Sequence, residues 1–359
     1  MSNRIKVLIV DDSAYSRQAI KRMLETDKDV VVVGIASDGV DAMAKTMRLK
    51  PDIITLDFAM PEMDGFSFLR WLMKERPLPV IMVSSYSDVK TVFMALELGA
   101  ADFIAKPSPR ASTDLMRIQH DLLEKVKGIR NMRMDNLGAS RELIQQDPGP
   151  IETGNSSATA GGQMPSIEIV TIGASTGGPA ALQVILTRLP AGFPAGILIS
   201  QHMPKGFTEP FSERLNRLAK IKVKEAAEGA TVERGTALIC PGGYHMTLKM
   251  KNRHVRIALK DSTSGDRYTP SVDVMMASAA ENFGAKAMGV ILTGMGNDGK
   301  KGIVEIKGQG GYTIAESEET AIVFGMPHEA IKTGAVDKIL PLDEIPKEIA
   351  KAVINKKGG

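Results

Sequence analysis

The chain has 359 residues but only one cysteine, one tryptophan and no long apolar run. A single cysteine excludes an internal disulfide and is typical of a reducing compartment. No apolar run approaches the ~20 residues that a membrane-spanning helix needs. The short apolar segment near the N-terminus ends in Asp11 and Asp12, which argues against a signal peptide. These absences favour a cytoplasmic protein that is not inserted into a membrane.

An excess of charge of one sign is also lacking. The 45 basic and 42 acidic side chains leave a formal net charge of +3, with both signs mixed along the chain. This near-neutrality argues against nucleic acid as a partner. Apolar residues make up 43% of the chain and charged residues 24%, which fits a globular protein long enough for two domains. We expect a monomer.

The first 130 residues alternate short apolar runs with amphipathic stretches. The apolar runs lie at 6–10, 30–35, 52–56, 79–83 and 102–105, and a helix is predicted at 114–130. Five such β–α repeats predict a five-stranded parallel sheet with helices on both faces. Residues 1–130 are therefore predicted to form a first α/β domain of the (βα)5 type.

A change in composition separates this region from a second α/β domain. Residues 131–165 become rich in Gly, Pro, Ser and Thr and poor in large apolar side chains, which predicts a flexible linker. Residues 166–356 then predict a doubly wound, mainly parallel α/β domain. Its strand candidates are 167–172, 196–200, 236–239 and 288–292, its helix candidates are 180–188, 208–218, 272–280 and 302–307, and 245–250 with 254–259 predict a hairpin.

Polar residues follow or end the apolar runs of the first domain. Asp11 and Asp12 end the first run, Asp57 the third, Ser84 the fourth and Lys106 the fifth. Because parallel strands share one carboxyl edge, these side chains should converge. Three carboxylates make a natural Mg²⁺ site, and a metal beside a carboxylate lets it accept a phosphoryl group. The alternative is that the acids only cap helices.

The segments around these residues resemble the response-regulator receiver domain. The similar segments are Val-Asp-Asp-Ser, Leu-Asp-Phe-Ala-Met-Pro-Glu-Met-Asp-Gly, Val-Ser-Ser and Ala-Lys-Pro, within about residues 4–125. The resemblance implies that Asp57 is the phosphoacceptor, Asp11 and Asp12 hold Mg²⁺, Ser84 is the hydroxyl switch residue, Lys106 contacts the phosphate and Phe103 is the switch aromatic. Since phenylalanine has no hydroxyl, movement of that ring would depend on packing alone.

Ser175 is the most informative residue of the second domain. It lies in Gly-Ala-Ser-Thr-Gly-Gly, after an apolar run and before a predicted helix, where a sharp turn can expose a hydroxyl and free N–H groups. His202 also follows a strand candidate and is the best base among five histidines, and Asp298 follows another as the acid that would orient it. Taken singly, Ser175 could cap a helix or cradle a phosphate, and the other two could be structural. Cys240 is a less favoured nucleophile, because a small buried residue fits its position better.

Two other families are disfavoured by residue order and spacing. Gly-Ala-Ser-Thr-Gly satisfies the nucleophile-elbow pattern of α/β-hydrolases, but there the acid precedes the histidine, whereas here His202 precedes Asp298. The glycines also lack the spacing of a dinucleotide-binding loop. The pattern therefore favours a serine hydrolase of another kind.

Five segments of the second domain resemble the chemotaxis protein-glutamate methylesterase (CheB) family. They are Ile-Gly-Ala-Ser-Thr-Gly-Gly-Pro, Gln-His-Met-Pro-Lys-Gly-Phe-Thr, Cys-Pro-Gly-Gly-Tyr-His, Pro-Ser-Val-Asp and Leu-Thr-Gly-Met-Gly-Asn-Asp-Gly, over about residues 166–352. The resemblance implies a catalytic triad of Ser175, His202 and Asp298, with Thr176 in the nucleophile turn and the Met295 N–H as an oxyanion donor.

The same resemblance implies the reaction and the partners. The reaction is removal of methyl esters from chemoreceptor glutamates, releasing methanol, together with deamidation of receptor glutamines. A chemotaxis histidine kinase would supply the phosphoryl group, with Mg²⁺ needed for phosphorylation and no cofactor needed for ester hydrolysis. Phosphorylation of Asp57 is expected to regulate the esterase. The rivals are a receiver joined to a DNA-binding module, against which no basic helix is found, and an unregulated esterase of small esters.

Overall fold

The computed structural model of this chain describes residues 4–85, 89–107, 112–128, 132–145, 166–251, 254–263 and 265–354. The chain divides into two compact units, Met1–Arg141 and Glu142–Gly359. Across the described ranges, no helix combines the length and the apolar character that spanning a membrane requires.

The first unit is built on a five-stranded parallel sheet in the order β2-β1-β3-β4-β5. Its strands are β1 (Ile5–Val10), β2 (Val30–Ala36), β3 (Ile53–Asp57), β4 (Val80–Ser84) and β5 (Asp102–Ala105). Every residue of β3 and β4 is buried, as expected for central parallel strands that are covered on both faces.

Helices connect these strands, and side-chain caps start several of them. They are α1 (Ala14–Leu24), α2 (Gly39–Leu49), α3 (Gly65–Glu75), α4 (Val89–Leu98) and α5 (Ser112–Gly128). The side chains of Ser13, Asp38 and Asp64 accept hydrogen bonds from the first turns of α1, α2 and α3. Apolar residues of α1 and α5 pack with the sheet in one core cluster, so the helices hold the strand ends in fixed positions.

The second unit is built on a seven-stranded sheet in the order β14-β13-β12-β6-β7-β9-β8, in which every neighbouring pair is parallel. Its strands are β6 (Ile169–Ala174), β7 (Gly196–Gln201), β8 (Lys222–Glu225), β9 (Thr236–Ile239), β12 (Ala287–Ile291), β13 (Tyr312–Glu316) and β14 (Lys338–Leu340). The chain moves from β6 through β7 in one direction and from β12 through β13 in the other. Strand order therefore reverses between β6 and β12, and ligands of open α/β sheets bind outside such a point.

Within the described residues from 166 onward, a hairpin and six α-helices accompany this sheet. The hairpin is β10 (Tyr244–Lys251) with β11 (His254–Asp261), antiparallel as the sequence predicts. The helices are α7 (Gly178–Arg188), α8 (Thr208–Leu218), α9 (Val272–Phe283), α10 (Lys300–Gly308), α11 (Met326–Ile331) and α12 (Ile345–Ile354). Buried side chains of α9 pack with those of the hairpin in one core cluster, so the start of α9 is held firmly at the sheet edge.

Two parts of the sequence-based interpretation need correction. The linker predicted at 131–165 is wrong for its first part, because a helix, α6 (Met134–Gln145), occupies it, whereas 146–165 lie outside the described residues. Residues 134–145 include several good helix formers, and Leu137 is buried. The domain boundaries themselves stay a prediction. The strand candidates also omitted β8, β13 and β14; two of these are short edge strands with charged residues, which lack an apolar run.

Candidate functional site

Ser175 and His202 leave neighbouring strands at the same edge of the second sheet. Ala174 at the end of β6 pairs with Gln201 at the end of β7. The His202 N–H donates to the Ala174 carbonyl at 3.0 Å, which fixes the backbone of the histidine beside the nucleophile turn. Asp298 lies in the loop that follows β12, on the other side of β6. The three predicted residues therefore come from three adjacent strands around the reversal of strand order.

The Asp298 carboxylate is buried and accepts hydrogen bonds only. Its Oδ2 lies 2.8 Å from His202 Nε2. The remaining donors are Ser271 Oγ (3.0 Å), Val272 N (2.7 Å), Asp273 N (2.9 Å) and Gly299 N (3.1 Å). Burial alone would raise the pKa of Asp298, but the hydrogen bond and charge of His202 and the backbone N–H donors outweigh it and lower the pKa. Asp298 is therefore ionised at neutral pH.

The ionised partner fixes the tautomer of the histidine. Because the Asp298 carboxylate only accepts, His202 Nε2 must carry a hydrogen, which leaves Nδ1 with a lone pair in the neutral ring. The imidazole is also stacked on the ring of Tyr268, with centroids 5.0 Å apart and planes 6° from parallel. Asp298 and Tyr268 together restrain both the rotation and the tilt of the ring.

Ser175 stands on a tight turn rather than on a helix cap. The N-cap of α7 is Gly177, in the left-handed region with φ of 79°, and no side chain caps this helix. The Ser175 hydroxyl makes no hydrogen bond to any residue that the structure describes, so the alternative of a capping serine is wrong. A Cβ at Gly294 would lie 2.7 Å from Ser175 Cβ, so only glycine permits this approach of the two loops.

The Met295 N–H, a predicted oxyanion donor, is oriented by the other end of its own peptide. The Gly294 carbonyl accepts from Met326 N at 2.8 Å and from Gly325 N at 3.1 Å, which fixes the plane of the 294–295 peptide. Within the described part of the chain no acceptor takes the Met295 N–H. The N-terminal turn of α7 after Thr176 adds a helix dipole directed at the same region.

Three further polar residues hold this site together, and sequence reasoning did not single them out. Gln201 Nε2 donates to the carbonyls of Ser175 (2.9 Å) and His202 (3.1 Å). Ser271 caps α9 and donates to Asp298. Thr293 hydrogen-bonds both sides of the nucleophile turn. All three lie in segments quoted for the family resemblance, which was the only sequence signal for them.

Cys240, the alternative nucleophile, is poorly suited to attack. Its side chain is fully buried, and its Sγ lies 3.4 Å from the Tyr244 carbonyl. Burial raises the pKa of the thiol far above its ordinary value, so the reactive thiolate is suppressed.

The predicted phosphorylation site gathers at the carboxyl edge of the first sheet. Oxygen atoms of Asp11, Asp12 and Asp57 all lie within 4.8 Å of one another. The Lys106 ammonium is 2.7 Å from Asp57 Oδ2, 3.3 Å from Asp11 Oδ1 and 3.9 Å from Asp12 Oδ1. Burial, and then the charge of Asp57, raises the pKa of Asp11 to about 6. One cation thus faces three crowded carboxylates.

This cluster has the chemistry of a divalent-cation site. Asp11 Oδ2 is buried and has no hydrogen-bond partner in the described structure, although a buried carboxylate oxygen is costly to leave unpaired. A hard cation with oxygen ligands would satisfy it. Asp11, Asp12 and Asp57 therefore fit Mg²⁺.

Ser84 and Phe103, the predicted switch residues, are both buried at this edge. The Ser84 hydroxyl donates to the Ser85 carbonyl at 3.2 Å. The Phe103 ring is 1% exposed, and the ammonium of the buried Lys125 lies 5.4 Å from its centroid. Lys125 also donates to the Phe103 carbonyl and to Asp102. The Phe103 ring therefore packs against a buried Lys125–Asp102 ion pair.

Known protein families match both halves of the chain. The family model "CheB methylesterase" matches residues 170–349, and "Response regulator receiver domain" matches residues 7–117. A Geobacter sulfurreducens protein named protein-glutamate methylesterase/protein-glutamine glutaminase 3 is 47% identical over 96% of both chains. A Pyrococcus horikoshii protein named protein-glutamate methylesterase/protein-glutamine glutaminase is 42% identical over 100% of this chain and 96% of its own.

The chain belongs to the CheB methylesterase family. The crystal structure of the Thermotoga maritima CheB methylesterase catalytic domain is 44% identical, with a TM-score of 0.50 over 52% of this chain and 98% of that chain. The resemblance found in the sequence and the predicted α/β fold class are thus confirmed. The roles assigned to individual residues of this CheB family member stay predictions.

Proposed function

We propose that this CheB family member is a protein-glutamate methylesterase and protein-glutamine glutaminase that acts on methyl-accepting chemoreceptors. The observation that carries the proposal is the His202–Asp298 pair, 2.8 Å apart, at the sheet edge where Ser175 stands on its glycine turn. The names of the relatives at 42–47% identity support methylated glutamate and glutamine as the reacting side chains.

Ester hydrolysis proceeds in two steps through Ser175. Nδ1 of His202 accepts the Ser175 proton as the hydroxyl oxygen attacks the ester carbonyl, and the imidazolium then gives that proton to the leaving methoxide. Methanol departs and a glutamyl ester of Ser175 remains. Water, deprotonated by His202, then attacks this acyl-enzyme and releases glutamate. With a glutamine substrate the same sequence expels ammonia.

Charge develops at two places in these steps, and the chain offers a group for each. The imidazolium form of His202 is stabilised by the ionised Asp298 carboxylate. The carbonyl oxygen becomes negative in the tetrahedral intermediate, and the backbone N–H groups of Thr176 and Met295 are the donors we assign to it. Neither donor requires a side-chain movement, which is the condition for efficient stabilisation.

The receiver half would accept a phosphoryl group at Asp57 from a chemotaxis histidine kinase. Asp11, Asp12 and Asp57 would hold Mg²⁺, which neutralises charge on the transferring phosphoryl group. Lys106 and Ser84 would contact the phosphate oxygens. We propose that phosphorylation of Asp57 increases the rate of ester hydrolysis.

Methanol release from methylated chemoreceptor membranes tests this function, with and without acetyl phosphate and Mg²⁺. We expect release that increases with the phosphodonor in the wild type and does not increase in Asp57→Ala. Stimulation of the Asp57→Ala protein would contradict the regulatory role of Asp57. Release of methanol only from small esters would favour an unregulated esterase, and absence of any release would contradict the proposal.

A further inference from the structure

Thr293 lies at the centre of the hydrogen bonds that join the catalytic loops. It follows β12 and is 1% exposed. Its carbonyl accepts from Ser175 N at 3.0 Å, and its hydroxyl donates to the Thr176 carbonyl at 2.9 Å. The same hydroxyl oxygen accepts from Val323 N at 2.9 Å, and the Thr293 N–H donates to Glu316 Oε2 at 2.8 Å. One buried residue thus connects the nucleophile turn to two other segments.

The hydroxyl can make only one of its two candidate donor bonds at a time. The Val323 carbonyl lies 3.4 Å from Thr293 Oγ1, against 2.9 Å for the Thr176 carbonyl. Because a hydroxyl has a single hydrogen, the shorter bond to Thr176 takes it, and Val323 N supplies the bond that the oxygen accepts. The direction of the hydroxyl is therefore determined by its surroundings.

The two bonds to the nucleophile turn lie on either side of one peptide. Ser175 N belongs to the 174–175 peptide, and the Thr176 carbonyl belongs to the 176–177 peptide. Between them lies the 175–176 peptide, which carries the Thr176 N–H that we assign to the oxyanion. Thr293 therefore holds the peptides before and after this donor, while the Ser175 carbonyl of the donor's own peptide accepts from Gln201 Nε2 and Gly178 N.

Thr293 also sits next to the peptide that carries the second donor. The Gly294 N–H donates to the Val323 carbonyl at 3.0 Å, and the Gly294 carbonyl is held by Met326 N. The same 294–295 peptide carries the Met295 N–H. Thr293 thus bonds on both sides of the peptide that carries one donor and is covalently joined to the segment that carries the other.

We propose that Thr293 is a positioning residue for the acyl-transfer chemistry, whose hydroxyl sets the relative placement of the Thr176 and Met295 N–H groups. The proposal rests on the proposed function. Since oxyanion donors act through placement relative to the developing charge, loss of this hydroxyl reduces kcat while substrate binding is retained. The effect expected from misplacing one donor is about 10²-fold in kcat.

The test compares Thr293→Val, which keeps the shape and removes the hydroxyl, with Thr293→Ser, which keeps the hydroxyl. A matched control is Thr171→Val: Thr171 is a fully buried threonine of β6 whose hydroxyl donates to the Met288 carbonyl at 2.8 Å. The Thr171→Val variant loses a buried hydrogen bond like that of Thr293→Val, but away from the nucleophile turn. If the Thr293→Val chain does not fold, Thr293→Ala serves as the second variant without the hydroxyl.

Two readouts are measured in the full chain: methanol release from methylated receptor membranes, and the rate at which a fluorophosphonate probe labels Ser175. We expect Thr293→Val to lose about 10²-fold in kcat and in labelling rate with KM changed less than about twofold, and Thr293→Ser and Thr171→Val to stay within about fivefold of wild type. A Thr293→Val protein as reactive as wild type, or equal losses in Thr293→Val and Thr293→Ser, overturns this proposal alone. A wild type that neither labels nor releases methanol contradicts the proposed function itself.

Discussion

Replacement of Asp298 by asparagine is expected to invert the tautomer of His202. All five groups around the carboxylate are donors, three facing Oδ1 and two facing Oδ2. An asparagine has one acceptor atom, so its carbonyl takes the Oδ1 position and its NH₂ faces Val272 N and His202 Nε2. The NH₂ then donates to Nε2, and the ring hydrogen moves to Nδ1. Nδ1 can no longer take the proton of Ser175.

The size of the effect follows from these contacts. Inversion of the tautomer in a serine hydrolase costs roughly 10⁴-fold in kcat, equivalent to about 5.5 kcal/mol of transition-state stabilisation. The donor–donor contact with Val272 N leaves a buried N–H unpaired, which costs about 1–3 kcal/mol of stability. Activity should therefore fall far more than stability does.

The assay is methanol release at saturating methylated receptor, with thermal unfolding measured in parallel. Asp273→Asn is the matched control, because Asp273 is also an acid near the start of α9 and accepts from Gly302 N at 2.8 Å without contacting His202. We expect it to keep kcat within about fivefold of wild type. An Asp298→Asn protein with more than a tenth of wild-type kcat would refute the reasoning, and equal losses in both variants would point to collapse of the loop.

Three further predictions follow from the environment of single residues. Because the pKa of Asp11 is about 6, the affinity for Mg²⁺ should fall about tenfold per pH unit below that value, and calorimetry that finds a constant affinity from pH 8 to pH 5 would contradict the cluster as a metal site. Cys240→Ala should keep wild-type kcat in the methanol assay. A loss of more than about tenfold in kcat would favour Cys240 as the nucleophile. Burial raises the pKa of Glu316 from 4.5 to about 7, so its ionisation opposes folding increasingly as pH rises through that range. The stability of Glu316→Gln relative to wild type should therefore rise by up to about 3 kcal/mol from pH 5 to pH 8. Hydrogen exchange of β13 measures this difference, and a difference that does not change with pH would contradict the raised pKa of Glu316.

Much of the fold was predictable because the central strands are apolar on both faces. β3 and β4 are fully buried, and such strands read as continuous apolar runs in the sequence. The edge strand β8 carries two exposed lysines and β14 has only three residues, so nothing in their composition distinguishes them from loops. The helix α6 was hidden in a segment whose later part is rich in glycine and proline.

The site was predictable to the extent that strand ends mark it. Ser175, His202 and Asp298 follow strand candidates, so a parallel sheet alone places them at one edge. The contacts of Gln201 and Thr293 could not be predicted in this way, because each bonds to backbone carbonyls of neighbouring segments. Such bonds depend on strand order and register, which side-chain spacing does not encode.

The measurement that tests the central claim most directly is methanol release by the Ser175→Ala chain beside the wild type, both with acetyl phosphate and Mg²⁺. We predict rapid release by the wild type and none above background by the variant, with phosphorylation of Asp57 equal in the two proteins. Release by Ser175→Ala at a rate near that of the wild type would show that the nucleophile lies elsewhere and would contradict the account.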